Sequence, residues 1–160
     1  IYSGTVAAAI EGAINGCKGM AVSLDGVDGA KEVRFDVAAN VVSFLLRNES
    51  QLNITDGQVL NVNIPNIPLE DIKGIRVAVV GKRYYIKPVT KLSEESDIVY
   101  FKIGGGKRTH LPIADSDCEL VKKGYVTLSV LSPSLMDLKA QNMFEDTLIN
   151  ECFLNSLNKF

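Results

Sequence analysis

Ile1-Tyr2-Ser3-Gly4-Thr5-Val6-Ala7-Ala8-Ala9-Ile10-Glu11-Gly12-Ala13-Ile14-Asn15-Gly16 opens the chain, and Gly19-Met20-Ala21-Val22-Ser23-Leu24 follows across Cys17 and Lys18. In the first stretch a small polar turn runs into a series of small apolar residues. Val6 to Ile14 reads as a helix, with Gly16 as its stop, because glycine takes the left-handed conformation that ends helices. The second stretch is a short apolar run and reads as a buried strand. The helix start also carries a chemical preference. The first turn of a helix leaves backbone N–H groups unpaired and bears partial positive charge, which suits an anion. Ser3 and Thr5 add hydroxyls, and Gly4 allows close approach to the backbone. On these residues alone an ordinary N-cap is the favoured reading of Ser3 and Thr5.

Working outward, Asp25-Gly26-Val27-Asp28-Gly29 is a turn leading into a second helix. There Phe35, Val37, Val41, Phe44 and Leu45 recur at helical spacing, with an end near Arg47-Asn48. Val59-Leu60-Asn61-Val62-Asn63-Ile64-Pro65 alternates as a strand does, and Pro65 ends its hydrogen bonding. Pro68 to Gly74 reads as a helical turn, and Ile75 to Val80 as another strand. This succession predicts a layered α/β core over residues 1–82. Next, Arg83 to Pro88 and Ile98 to Ile103 are β-prone runs around the polar stretch Lys91 to Asp97. They predict a protruding hairpin arm over 83–103 whose aromatics seek a partner surface. Residues 104–131 return to the core through a strand at Gly124 to Leu131, and 132–160 form a helix-prone tail.

Composition narrows the classes. The chain has 160 residues, 46% hydrophobic and 22% charged, enough to bury a core, and its net charge of −2 gives no basic footprint for a nucleic acid polymer. No apolar run approaches the roughly 18 residues needed to cross a membrane, and Glu11 with the missing basic n-region argues against a signal peptide. Cys17, Cys118 and Cys152 are far apart and form no C-x-x-C pair, which fits free thiols in a reducing cytoplasm.

Other candidates for chemistry are weaker. Gly104-Gly105-Gly106-Lys107-Arg108 lacks the spacing of a phosphate loop and reads as a connection, or as a basic loop beside an anionic substrate. His110 is the one histidine, and its isolation favours a structural role. Asp25, Asp28, Asp36, Asp115 and Asp117 do not form a calcium-type loop. Asn61 and Asn63 share one face of a strand, where they either bind a ligand or satisfy loop backbone. The G-x-G-x-x-G fingerprint of a dinucleotide-binding enzyme is missing between a strand and a helix.

Several segments, in order, resemble the SurE family of metal-dependent nucleotide phosphatases. Tyr2 to Ala13 looks like the family's YSGTVGAAxEG motif, with Ala7 where glycine is frequent. Ala21-Val22-Ser23-Leu24 resembles its AVS strand and Phe35-Asp36-Val37-Ala38-Ala39 a helix opening. Leu60-Asn61-Val62-Asn63-Ile64-Pro65 is similar to its LNVNxP strand. Lys73 to Val77, Ile103-Gly104-Gly105-Gly106, and Asp117 with Gly124-Tyr125-Val126 complete a set spanning about the first 130 residues.

The resemblance implies a Rossmann-like α/β core, a protruding hairpin, and a C-terminal helix exchanged between subunits of a dimer or tetramer. It implies release of phosphate from nucleoside 5′- or 3′-monophosphates with a divalent cation, manganese or magnesium. It assigns phosphate contact to Ser3, Gly4 and Thr5. It places the family's metal ligands (an aspartate pair, a serine and an asparagine) ahead of Ile1, so no catalytic or metal-ligating residue is expected within the chain. The alternative is a non-catalytic phosphate-binding and oligomerisation module. Neither reading calls for a nucleic acid polymer or a membrane.

Overall fold

The computed structural model describes residues 3–86, 89–103 and 108–134. Helix α1 (Gly4–Ile14) packs on strand β1 (Gly19–Asp25), and α2 (Phe35–Arg47) leads to β2 (Val59–Pro65). Strand β3 (Ile75–Val77), α3 (Asp117–Lys122) and β8 (Val126–Leu131) finish the core. The sheet order is β1-β2-β8-β3. β1 and β2 run parallel, from Gly19 opposite Val59 to Asp25 opposite Pro65. β8 is antiparallel to β2 and parallel to β3. The α/β class read from the sequence is the class observed, with a mixed sheet.

The core divides by strand face. Leu60, Val62 and Ile64 of β2 and Val126 of β8 meet Val37, Val41 and Leu45 of α2. Each such side chain stabilises the fold by about 1.5–3 kcal/mol when fully buried. Phe35 and Phe44, expected on that stripe, are exposed, because Val37, Val41 and Leu45 at successive i,i+4 positions already fill the contact. On the other face Val59 and Ala21 meet Ala13, with Val6, Ala9 and Ile10 beside them. This approach needs a glycine: a Cβ on Gly19 would lie 2.5 Å from the Ala9 carbonyl oxygen and 3.0 Å from Val59.

β2 alternates apolar and polar residues, yet both faces are covered, α2 packing on Leu60, Val62 and Ile64 and α1 on Val59. Asn61 therefore sits buried opposite Ser129, whose hydroxyl donates to the Ala78 carbonyl at 2.9 Å. The strand expected over Ile75 to Val80 is shorter. After Val77 the chain keeps a single bridge, between Val79 and Ser116, as it turns toward α3.

The arm is paired differently from the sequence reading. β4 (Arg83–Tyr85) pairs with β7 (Arg108–His110), and β5 (Val89–Glu95) pairs with β6 (Ile98–Ile103). The polar stretch expected as a tip is thus most of β5, and the turn is reduced to Ser96 and Asp97. A two-stranded ribbon buries little on either face, so its strand is polar without being a loop. Every residue of β5 is exposed. The tail beyond Ser134 and the Gly104 to Lys107 loop lie outside the described residues.

Candidate functional site

The α1 turn is built as a capped helix start. Ser3 is the N-cap in extended backbone conformation, and its hydroxyl accepts from the Val6 N–H at 3.3 Å. That bond occupies the hydroxyl as an acceptor and leaves its proton available to a ligand. The helix starts at Gly4, two residues earlier than the apolar pattern indicates. No acidic side chain lies in the first turn, so nothing there repels an anion. A Cβ on Gly4 would meet nothing within 4 Å, so the backbone is open to approach. Ser3, Gly4 and Thr5 are all exposed.

A second assembly forms around α3. Asp117 Oδ1 accepts from the Gly81 N–H at 2.8 Å and from its neighbour's N–H, Cys118, at 2.7 Å. Its other oxygen accepts from Asn63 Nδ2 at 3.4 Å. One carboxylate thus ties β2, the segment after β3, and the first turn of α3. Of the two asparagines on β2, Asn63 donates to a side-chain carboxylate rather than to the loop backbone that the plainer reading expected.

Next to this latch, Arg83 Nη2 donates to Asp25 Oδ1 at 2.7 Å, joining β4 to the end of β1. Burial works against the guanidinium charge, but the Cys118 thiol and Asp25 outweigh it and hold Arg83 more firmly protonated than usual. Burial pushes the Cys118 thiol up, with Arg83 opposing and Asp117 adding to the shift. Cys17 is exposed, and both described cysteines are free.

His110 is nearly covered, its side chain 9% exposed. Its Nε2 lies 2.7 Å from Glu119 Oε1, and its Nδ1 lies 3.4 Å from Lys122 Nζ. Facing a carboxylate, Nε2 carries the proton and donates; Nδ1, facing an ammonium, accepts. The hydrogen bond from His110 holds the Glu119 carboxyl below its usual range. The structural reading of His110 therefore describes its contacts. The sequence reading names Asp117 and Cys118 but places no helix there, although Ser116-Asp117-Cys118-Glu119 spells a capping box. Ser116 Oγ accepts from the Glu119 N–H at 3.4 Å, as that signal specifies. Arg83 gave no signal in sequence, because its partner Asp25 is 58 positions away.

Among the described residues no group of three or more histidine, cysteine, aspartate or glutamate side chains is placed to hold a metal ion. No helix among them is long and apolar enough to cross a membrane.

The family model described as Survival protein SurE matches residues 1–87. A 5′/3′-nucleotidase SurE of Photorhabdus laumondii is 35% identical over 148 residues, covering 92% of this chain and 56% of that protein. Its counterpart from Escherichia fergusonii is 39% identical over 150 residues, again covering 92% and 56%. The crystal structure of a SurE protein from Aquifex aeolicus superposes with a TM-score of 0.70 at 29% identity, over 91% of this chain and 58% of that one. The chain thus spans little more than half the length of the relatives it matches.

Proposed function

Since the chain belongs to the SurE family, we propose that it is part of a metal-dependent phosphomonoesterase that hydrolyses nucleoside 5′- and 3′-monophosphates to nucleoside and phosphate. The observation that carries this reading is the match to 5′/3′-nucleotidases over 92% of the chain.

In this reading Ser3, Gly4 and Thr5 face the substrate phosphate. The exposed N–H groups of the first turn and the two hydroxyls stabilise charge on the phosphoryl oxygens as the ester bond breaks. The reading calls for manganese or magnesium, which takes oxygen ligands and supplies Lewis-acid polarisation of the phosphoryl group. The described residues offer such a cation no seat. Their contribution is binding and charge stabilisation at the α1 turn. Replacing Thr5 by valine, which removes the hydroxyl at equal size, should raise KM for AMP or lower kcat without unfolding the protein. Unchanged kinetics in both Thr5→Val and Ser3→Ala would remove the turn from the site.

The proposal extends to assembly, as a homodimer or homotetramer through the 83–103 arm and the 132–160 tail. Support comes from the arm, where Val89, Leu92, Ile98, Tyr100 and Phe101 are all exposed. The cytoplasm is the compartment proposed, in keeping with the free thiols of Cys17 and Cys118. The non-catalytic alternative shares the fold and differs in turnover, so metal-dependent phosphate release separates the two.

A further inference from the structure

A cleft of about 160 Å³ lies where the β4–β7 ladder, the end of β1 and α3 meet, and none of its lining comes from the Ser3-Gly4-Thr5 turn. Asp25, Arg83, Thr109, His110, Cys118 and Lys122 line it. The volume equals that of about five waters, enough for a tetrahedral oxyanion and part of its substituent.

The charges are arranged in favour of an anion. The one lining carboxylate, Asp25, is already engaged by Arg83 Nη2 at 2.7 Å. Asp25 and the Cys118 thiol occupy part of the guanidinium fork, and its other donors are left for a ligand. Lys122 spends one N–H on His110 Nδ1 at 3.4 Å, and His110 is turned the other way toward Glu119 at 2.7 Å. Glu119, bonded to the ring at Nε2, does not line the cleft. Arg83 and Lys122 against Asp25 therefore leave a cationic surplus. The donors come from three elements, β4, β7 and α3, that border one cleft. That suits a tetrahedral group better than a planar carboxylate.

We propose that this cleft binds a phosphate group, with Arg83 and Lys122 as its charged donors and the Thr109 hydroxyl as its neutral one. The group arrives either as inorganic phosphate or as a phosphomonoester. The inference does not depend on the phosphatase reading, because binding is measured without turnover.

The sequence holds one histidine, so the His110 ring gives a single NMR reporter inside the cleft. Titrating the protein with inorganic phosphate at fixed pH and ionic strength should move that signal saturably, while chloride should leave it in place. Arg83→Gln and Lys122→Gln should each weaken the apparent affinity by about tenfold or more, the loss expected for a charge-assisted hydrogen bond. Lys122 is exposed, so its variant keeps the thermal midpoint and decides the matter if Arg83→Gln lowers it. Tighter binding of AMP than of phosphate assigns the site to the ester, and equal binding assigns it to the free anion. No saturable shift, an equal shift in the Lys122 variant, or a shift by adenosine alone would overturn the proposal.

Discussion

Asp117 Oδ1 accepts a hydrogen bond from the Gly81 N–H at 2.8 Å, which fixes the segment after β3 against the start of α3. The pairing demands a glycine. A Cβ at position 81 would lie 2.7 Å from Cys118 Sγ and 2.8 Å from that same carboxylate oxygen. Because Asp117 also receives Asn63 and Cys118, its loss leaves several donors unpaired at once. Asp117→Ala should cost about 1–3 kcal/mol for each donor left buried and unsatisfied. Asp117→Asn, which keeps one acceptor oxygen, should cost less. Chemical denaturation of the two variants checks the order, and equal losses would contradict the latch.

The α1–β1 contact predicts a contrast between two glycines. Gly19→Ala forces a methyl against the Ala9 carbonyl and should destabilise by about 1–3 kcal/mol, the range for overpacking a core. Gly4→Ala meets open space and should leave the melting temperature within the scatter of surface substitutions. Thermal unfolding of the pair measures both.

The α2 face predicts a second contrast. Leu45→Ala removes a side chain 1% exposed and should cost about 2–5 kcal/mol. Phe44→Ala, one position away and 54% exposed, should cost well under half as much despite its larger side chain. The two midpoints in urea decide it.

The His110–Glu119 contact gives a pH dependence with a definite sign. The folded-state carboxyl of Glu119 is lowered by the hydrogen bond from His110. Its stabilisation is therefore fully present above the unfolded glutamate value of about 4.3 and disappears as pH falls through the lower folded value. Between neutrality and acid, Glu119→Gln should flatten part of the wild-type fall in melting temperature. A variant whose acid profile parallels the wild type would show that the contact adds nothing.

The strands of the arm separate fold from assembly. Removing residues 89–103, the β5–β6 ribbon, leaves the β4–β7 ladder in place. That variant should keep the core's thermal transition and sediment as a smaller species. An unchanged sedimentation profile would show that the arm is not an interface.

Much of this was legible in the sequence, for physical reasons that differ by element. Val37, Val41 and Leu45 announced α2 because burial imposes a helical period, and Gly16 marked the end of α1 with its φ of 81°. β5 was read as a loop because Lys91, Ser93, Glu94 and Glu95 look like solvated turn residues, and a ribbon without a core has no apolar alternation to display. At the α1 turn the residue types were visible, and Ser3 is the N-cap they spell. The cluster of Asp25, Arg83, His110 and Lys122 was not visible, since its members are brought together only when β4, β7 and α3 close on the end of β1.

The protein in its full encoded length, incubated with AMP or GMP, should release inorganic phosphate when manganese or magnesium is supplied and stop when the metal is chelated. Phosphate release that is absent, or indifferent to chelation, would contradict the account.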